Sequence, residues 1–403
     1  MRLFAFVLGL LLFVPSVFGQ NLTEREVLQK LSSESPRARA LAAQVELARA
    51  SALTEGLRPN GALSLSREAA GGVPETYLLY EQPLSITGRR DYLRRSALAS
   101  ADSEGSSVRM QLHELRVAAR LAFLELLLAQ EQVKAYDAEK ARLDEIVDVL
   151  RKREKSGESS GYDRIRAERE VSLLEADQGV ALARVERARG LLSSFFNPSQ
   201  RPPALGAAGA LTLPDVPALA SLTGKITARG DIEAERRLAE SAVLSKEAAR
   251  RKMYPEPVVS GGLKSPVVDN QREAGYVVSV TLPLPLFDRG KADMARAEAS
   301  RRAAESRAEM LKVEVEARLR GAWEETQARL RAVESYQKRA VAQTEDLARI
   351  ARSAYEGGEV GILELLDAFR TQREVRLRIQ ELIAAARQSA LEVERLAGEE
   401  VIR

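Results

Sequence analysis

Pro83-Leu84 opens a run that continues through Arg89, Ala97, Ala99 and Ser100 to Arg120, Ala122, Glu125, Val133 and Tyr136. The same residue types recur 200 positions on, at Pro283, Leu284, Arg289, Ala297, Ala299, Ser300, Arg320, Ala322, Glu325, Val333 and Tyr336. Met110 matches Met310, and Leu150 faces Ile350. A register that persists this long and then recurs marks an internal duplication. Neither copy has a Pro after its opening turn, and the Gly residues within them are Gly105, Gly290 and Gly321, so each predicts one continuous helix. From Arg89 to Glu154 such a helix is about 100 Å long, far more than a compact domain requires.

The apolar residues of the first copy, Leu112, Leu115, Ala119, Ala122, Leu126, Ala129, Val133 and Tyr136, alternate steps of three and four. That is a heptad seam, and Val315, Ala322, Val333 and Tyr336 keep it in the second copy. Its Ala content lets neighbouring helices approach closely.

Upstream, the period changes. Leu63 and Leu65 alternate with Ser64 and Ser66, the turn Ala69-Ala70-Gly71-Gly72-Val73-Pro74 follows, and Glu75 to Ser85 reads as a second strand. Before Arg58-Pro59-Asn60-Gly61 lies a helix from Leu22 to about Leu57, with a capping box at Thr23 and Glu26 and a break at Ser35-Pro36. Downstream, Lys155 to Gly161 ends the long helix, and a return helix runs from about Tyr162 to Phe196. The upstream elements repeat at an offset of 196, with Pro59 matching Pro255 and Leu63 matching Val259. Asp231 to Met253 is then a short helix, and Pro257 to Lys264 and Gly275 to Leu282 are strands. Tyr276, Val278, Val280 and Leu282 share one face of the last strand. A final return helix spans Gly361 to Leu396, after the tip Tyr355 to Glu359. The expected organisation is an export segment at 1–19, a first repeat at 20–196, a Pro/Ala/Gly-rich linker at 197–230 and a second repeat at 231–403.

Composition narrows the function. The chain has 403 residues, no Cys, one His and one Trp, with 45% apolar and 30% charged residues. Without Cys there are no disulfides, zinc-thiolate sites, thiol catalysis or acylated Cys anchor. A net charge of +3 gives no electrostatic case for nucleic acid. No nucleophile–base pair, metal cluster or phosphate loop interrupts the helical plan, so neither an enzyme, a cofactor nor a bound metal is expected. His113 has Val313 as its counterpart and no ligating neighbours, which makes it a poor metal site. Trp323 matches Phe123 and reads as a packing residue.

Arg2, the apolar run Leu3 to Val14, Pro15 and Val17-Phe18-Gly19 read as a cleavable export signal. No later segment holds the roughly 18 apolar residues of a membrane helix, so insertion into a membrane must use strands. Four strands cannot close a barrel, and open edges are not tolerated in lipid. Several chains would therefore pool their strands, with the long helices packed beneath as a tube.

Four stretches carry a family resemblance: Leu22-Thr23…Ser35-Pro36…Leu57-Arg58-Pro59-Asn60; Glu81-Gln82-Pro83-Leu84…Thr87-Gly88-Arg89-Arg90; Pro283-Leu284-Pro285-Leu286-Phe287-Asp288-Arg289-Gly290; and Tyr355-Glu356-Gly357-Gly358…Ile362-Leu363-Glu364-Leu365-Leu366-Asp367-Ala368. The sequence resembles outer-membrane efflux proteins of the TolC family, nearest the branch that serves heavy-metal RND pumps. The resemblance implies a mainly α chain with a small β part. It implies a homotrimer sharing a twelve-stranded barrel in outer-membrane lipid, above a periplasmic tunnel of twelve helical strands. It also implies a periplasmic membrane-fusion adaptor and an inner-membrane RND pump as partners, with metal, drug or protein as cargo. A periplasmic coiled-coil scaffold or adaptor is the rival class, although an adaptor would carry one hairpin rather than two in tandem.

Under the resemblance, Glu364 and Asp367 match the acidic pair at the closed periplasmic mouth, and Asp163 is the first-copy counterpart of Glu364. Each would form a ring of three carboxylates in a trimer, a device for cation preference. The tips Gly157, Glu158, Ser159, Ser160, Gly161 and Gly357, Gly358, Glu359, Val360, Gly361 would dock the adaptor. Gly88, Arg89, Asp288, Arg289 and Gly290 mark the strand-to-helix junctions, with Asp288 expected as a helix N-cap.

Overall fold

The computed structural model describes residues 21–71, 73–157, 160–197, 205–268 and 271–402. The expected export segment lies outside them, as do Glu158 and Ser159 of the first tip. In order, the elements are β1 (Asn21–Leu22), α1 (Glu24–Glu34), α2 (Pro36–Glu55), β2 (Ala62–Ala70), β3 (Val73–Pro83), α3 (Arg89–Lys155) and α4 (Gly161–Ser193). Then come β4 (Gly206–Ala207), α5 (Leu219–Thr223), α6 (Gly230–Arg250), β5 (Val258–Val268), β6 (Gln271–Arg272), β7 (Gly275–Thr281), α7 (Lys291–Tyr336), α8 (Ala342–Glu356) and α9 (Ile362–Ala397).

Thr23 and Glu26 form the capping box that starts α1, and Pro36 begins α2 where its missing N–H costs nothing. The sheet runs β2-β3-β5-β7, all antiparallel, so the hairpins of the two repeats pair directly through β3 and β5. α6 lies along both α3 and α7 on a seam of small side chains. Ser96 Oγ donates to the Ser241 carbonyl at 2.9 Å, and Ser103 Oγ donates to that of Ala234 at 2.8 Å. Ala297 and Ala304 are buried on α7.

The 200-residue register holds in mid-helix, and the structure corrects it at both ends. The glycines that begin the long helices, Gly88 and Gly290, are 202 apart. In mid-helix the offset is 200: Ala119 and Leu319 are both fully buried, as are Leu126 and Thr326. Past Tyr336 the second copy is not plain α-helix but makes a π-turn at Gln337–Val341, absent from α3. A π-turn absorbs one extra residue without rotating the helix downstream of it. Beyond it the offset is 201: buried Leu143 and Val147 correspond to Thr344 and Ala348, and left-handed Gly157 to Gly358.

The segment between the repeats is not featureless. Gly206–Ala207 pairs in parallel with Asn21–Leu22, and Gln130 Oε1 accepts from Ala207 N at 2.9 Å. Leu222 and Ile226 join a core with Val315, Leu319, Val393 and Leu396, where Trp323 packs and donates to the Pro217 carbonyl at 2.9 Å. A second core joins Leu126, Phe123 and Leu192 to Leu22, Val27 and Leu31. The third unites the ends of both helical hairpins through Leu143, Leu150, Leu174, Ile362, Leu365 and Phe369.

Candidate channel surfaces

The sheet is amphipathic in the sense a membrane barrel requires. Cross-strand pairs align Leu63 with Tyr80, Leu65 with Leu78, Leu78 with Leu263, Leu263 with Tyr276 and Val259 with Val280. These residues form one continuous apolar face, and Leu63, Leu65, Leu263, Tyr276, Val278 and Val280 are all exposed in the single chain. The opposite face carries Ser64, Ser66, Glu75, Tyr77, Ser260, Lys264 and Ser279. There Lys264 Nζ donates to Glu75 at 2.9 Å, bonding β5 of one repeat to β3 of the other, and Ser260 and Ser279 hydroxyls meet at 2.7 Å. An apolar outer face with a polar inner one is how a barrel divides lipid from water. Among the described residues, no helix is long and apolar enough to cross a membrane.

Below the sheet, the chain turns into each long helix at a left-handed glycine, Gly88 with φ 69° and Gly290 with φ 77°. At Gly290 a Cβ would also stand 2.1 Å from the Ala249 carbonyl oxygen, so only glycine fits. This corrects the expectation for Asp288. It is not the N-cap; its Oδ1 accepts from Gly290 N at 2.9 Å, fixing the turn ahead of the helix, and Lys252 Nζ donates to its Oδ2 at 3.3 Å. Those two contacts hold its carboxyl below the usual carboxylate range, the backbone bond being the larger cause. Arg89 is the first residue of α3, whereas Arg289 precedes its helix and donates to the Pro285 carbonyl at 3.3 Å.

At the far end of the helices both tips come together on the shared core, with Arg153 lying 5.8 Å from the Tyr355 ring centroid. The first tip turns at Gly157, and Ser160 caps α4, which starts at Gly161. The second tip is a Schellman turn. Gly357 is the C-cap, left-handed Gly358 donates to the Tyr355 carbonyl at 3.1 Å, and Glu359 N donates to that of Ala354 at 2.8 Å. Gly357, Gly358, Glu359 and Gly361 are exposed, Val360 is half-buried, and Gly361 caps α9.

Glu364 and Asp367 share the exposed face of the first turns of α9, opposite buried Ile362, Leu365, Leu366 and Phe369. Their surroundings differ. Glu364 folds back over Gly361, while Asp367 lines a cleft between α4 and α9 with Arg166, Arg169, Glu170 and Arg370. Asp163 is half-buried in the first turn of α4.

Several polar nodes, His113 apart, were not singled out by the sequence. Arg370 Nη2 donates to Glu170 Oε2 at 2.7 Å across the same cleft. Glu139 is buried in α3, 3.7 Å from Arg142, and burial pushes its carboxyl up. Arg120, 5% exposed, bonds both Glu24 and Glu394, and Glu394 Oε2 accepts from Val401 N at 3.0 Å and Ile402 N at 2.9 Å. Arg229 donates to the Arg395 and Leu396 carbonyls at the end of α9 and to Asp231. His113 Nε2 lies 3.0 Å from the Glu394 carbonyl, and burial lowers its pKa, so it serves as a neutral packing donor. The available signal was a charge on an otherwise apolar helix face, as at Glu394 among Leu391, Val393 and Ala397.

Comparisons with known proteins agree with this geometry. Residues 227–399 match the sequence model of the family described as outer membrane efflux protein. A curated relative, the cobalt-zinc-cadmium resistance protein CzcC of Cupriavidus metallidurans, is 24% identical over 78% of this chain and 75% of its own length. Among solved structures, the channel CusC superposes with a TM-score of 0.75 at 17% identity, covering 94% of this chain and 92% of that one. The outer membrane protein VceC of Vibrio cholerae gives 0.73 at 17% identity, covering 93% and 96%. With its duplicated hairpins and amphipathic sheet, the fold is that of the TolC-like channels, and residues 227–399 carry the sequence pattern of the outer membrane efflux protein family.

Proposed function

We propose that this chain is the outer-membrane exit duct of a tripartite efflux system, and that its cargo is metal cations. One observation carries the duct reading: a four-stranded sheet with one apolar face stands on a helix about 100 Å long. Three copies would supply the twelve strands of a closed barrel and leave no edge in lipid. The helices then line a tunnel across the periplasm, an adaptor seats on the tips at 157–161 and 357–361, and an inner-membrane RND pump supplies the energy. The duct itself breaks no bonds. At the mouth, threefold repetition of Glu364, Asp367 and Asp163 gives carboxylate rings that favour cations, with Arg166, Arg169 and Arg370 beside Asp367 to offset charge while the mouth is shut. Support for metal cargo comes from the similarity to a metal-resistance protein.

The test is growth of a deletion strain across divalent metals and organic drugs, with complementation. Sensitivity to zinc, cobalt or cadmium, restored by the gene, is the expected result. Sensitivity confined to dyes, detergents or antibiotics would replace metal by drugs as cargo. Recovery of the protein only in the soluble periplasmic fraction would overturn the duct.

A further inference from the structure

We infer that the groove where α6 runs between α3 and α7 is an anion site, and that it takes small soluble oxyanions of the phosphate class. The groove holds about 580 Å³ below the strand-to-helix junctions. Small side chains make room for it. Ser245, Ala248 and Ala249 on α6 and Ala297, Ser300 and Ala304 on α7 leave open a space that larger residues would fill.

Its charged lining is unbalanced. Arg89, Lys252, Arg296 and Arg307 line the groove with one carboxylate, Asp293. Asp293 is taken up by Lys252 and lies 3.6 Å from Arg296. Arg307 Nε donates to Glu235 at 2.9 Å. Arg89 stands outside this pairing. It is half-buried, and its Nε is buried with no hydrogen-bond partner among the described residues. Asp288, whose carboxyl feels the charge of Arg89, is already bonded to Gly290 N and Lys252. A buried donor left unmade costs free energy, so Arg89 is placed to meet an acceptor from outside the chain. An oxyanion suits it, because a guanidinium offers parallel N–H groups to two oxygens at once. Ser300 adds a hydroxyl, and Arg296, 79% exposed, can swing onto a bound ion.

The side of the wall follows from α3. Arg95, Asp102, Arg109, Arg116, Phe123 and Gln130 form one stripe at intervals of seven. Its lower members meet Glu400, the core of Leu22 and Leu31, and the Ala207 N–H. The C-terminal segment, α1 and β4 therefore cover that face, and in the proposed tube only the outside has room for them. Leu93, which lines the groove, stands about 150° round the helix from Arg95. The groove thus opens on the lumen, away from lipid. On the duct reading, on which this placement rests, three copies set a basic collar beneath the barrel. Cations drawn in by the carboxylates of the proposed mouth would meet their counter-anions there.

Inorganic phosphate is the probe. Its phosphorus NMR line is followed with the purified protein in neutral detergent, phosphate replacing chloride at fixed ionic strength. The parent is expected to broaden the line saturably. Arg89→Gln should weaken binding about tenfold. Ser300→Asp, which keeps Arg89 and adds a carboxylate to the groove, should weaken it at least as much. Arg95→Gln, on the outer stripe, should leave it unchanged. No broadening by the parent, or equal broadening by the parent, Arg89→Gln and Ser300→Asp, would overturn the site. Bilayer conductance of the parent separates the two readings. Current without phosphate binding removes the site and keeps the duct; phosphate binding without current keeps the site and removes the duct.

Discussion

Arg370 on α9 and Glu170 on α4, 200 positions apart, are joined by a 2.7 Å ion pair, one partner from each repeat. Arg373 stands 4.0 Å from the same carboxylate, and Asp367 lines the same cleft. The bond therefore ties the return helices of the two hairpins to each other close to their tips. Such a tie is positioned to hold the proposed mouth in one arrangement.

Charge reversal should expose that role. Glu170→Arg sets like charges across the α4–α9 seam and should raise channel conductance; Arg370→Glu should do the same. Combining the two restores an opposite-charge pair and should recover most of the parental conductance, a coupling of roughly 1–3 kcal/mol by double-mutant cycle. Additive single effects would show that the pair does not restrain the mouth.

The Arg120–Glu394 pair should matter for folding rather than for passage. Glu394 holds the C-terminal segment through two backbone N–H groups, and Arg120 reaches the first helix through Glu24. Removing one partner strands a buried charge, so Arg120→Ala should cost about 3–5 kcal/mol, read as a lower denaturation midpoint. Arg120→Met with Glu394→Met should cost less than the two single changes summed.

Glu139 should make stability depend on pH. Burial raises its folded pKa above the unfolded value, outweighing the attraction of Arg142, Arg373 and Arg376. Folding therefore favours the protonated form. That contribution is fullest below the unfolded carboxylate range and is lost as pH rises through the raised pKa. Glu139→Gln should consequently unfold at a higher temperature than the parent at pH 8, with the gap narrowing toward pH 4. Parallel melting curves at the two pH values would contradict this.

The π-turn makes an asymmetric prediction about deletions. Removing Arg339 should let Gln337–Val341 revert to α-helix, leaving Thr344 and Ala348 facing the core. Removing Asp137 at the matching place in α3 has no extra residue to absorb, so every side chain beyond it turns by about 100° away from its partner. The first deletion should leave assembly intact, and the second should abolish it. Equal damage from both would refute the inserted-residue account.

Most of the fold was legible because it rests on periodicity. The heptad seam from Leu112 to Tyr136, the alternation at Leu63 and Leu65 and the capping box at Thr23 are local signals that the tertiary structure does not override. The register shifts were not legible. Identical residues at Arg89 and Arg289 suggest one offset, yet Gly88 and Gly290 begin the helices, because a left-handed turn selects the glycine and not the arginine. The π-turn left no composition signal, since Gln-Lys-Arg-Ala-Val suits ordinary α-helix. The family resemblance marked the acidic pair Glu364 and Asp367, but Arg166 and Arg169, which share the cleft with Asp367, come from α4, and only the packing of α4 against α9 reveals them.

The most direct measurement is the conductance of the purified protein in a planar bilayer, alongside the Glu170→Arg variant. The account predicts long-lived single-channel steps, larger in the variant, with divalent-cation block that weakens when Glu364 and Asp367 are replaced by Ala. A folded, trimeric protein that inserts and passes no current, in the variant as well as the parent, would contradict it.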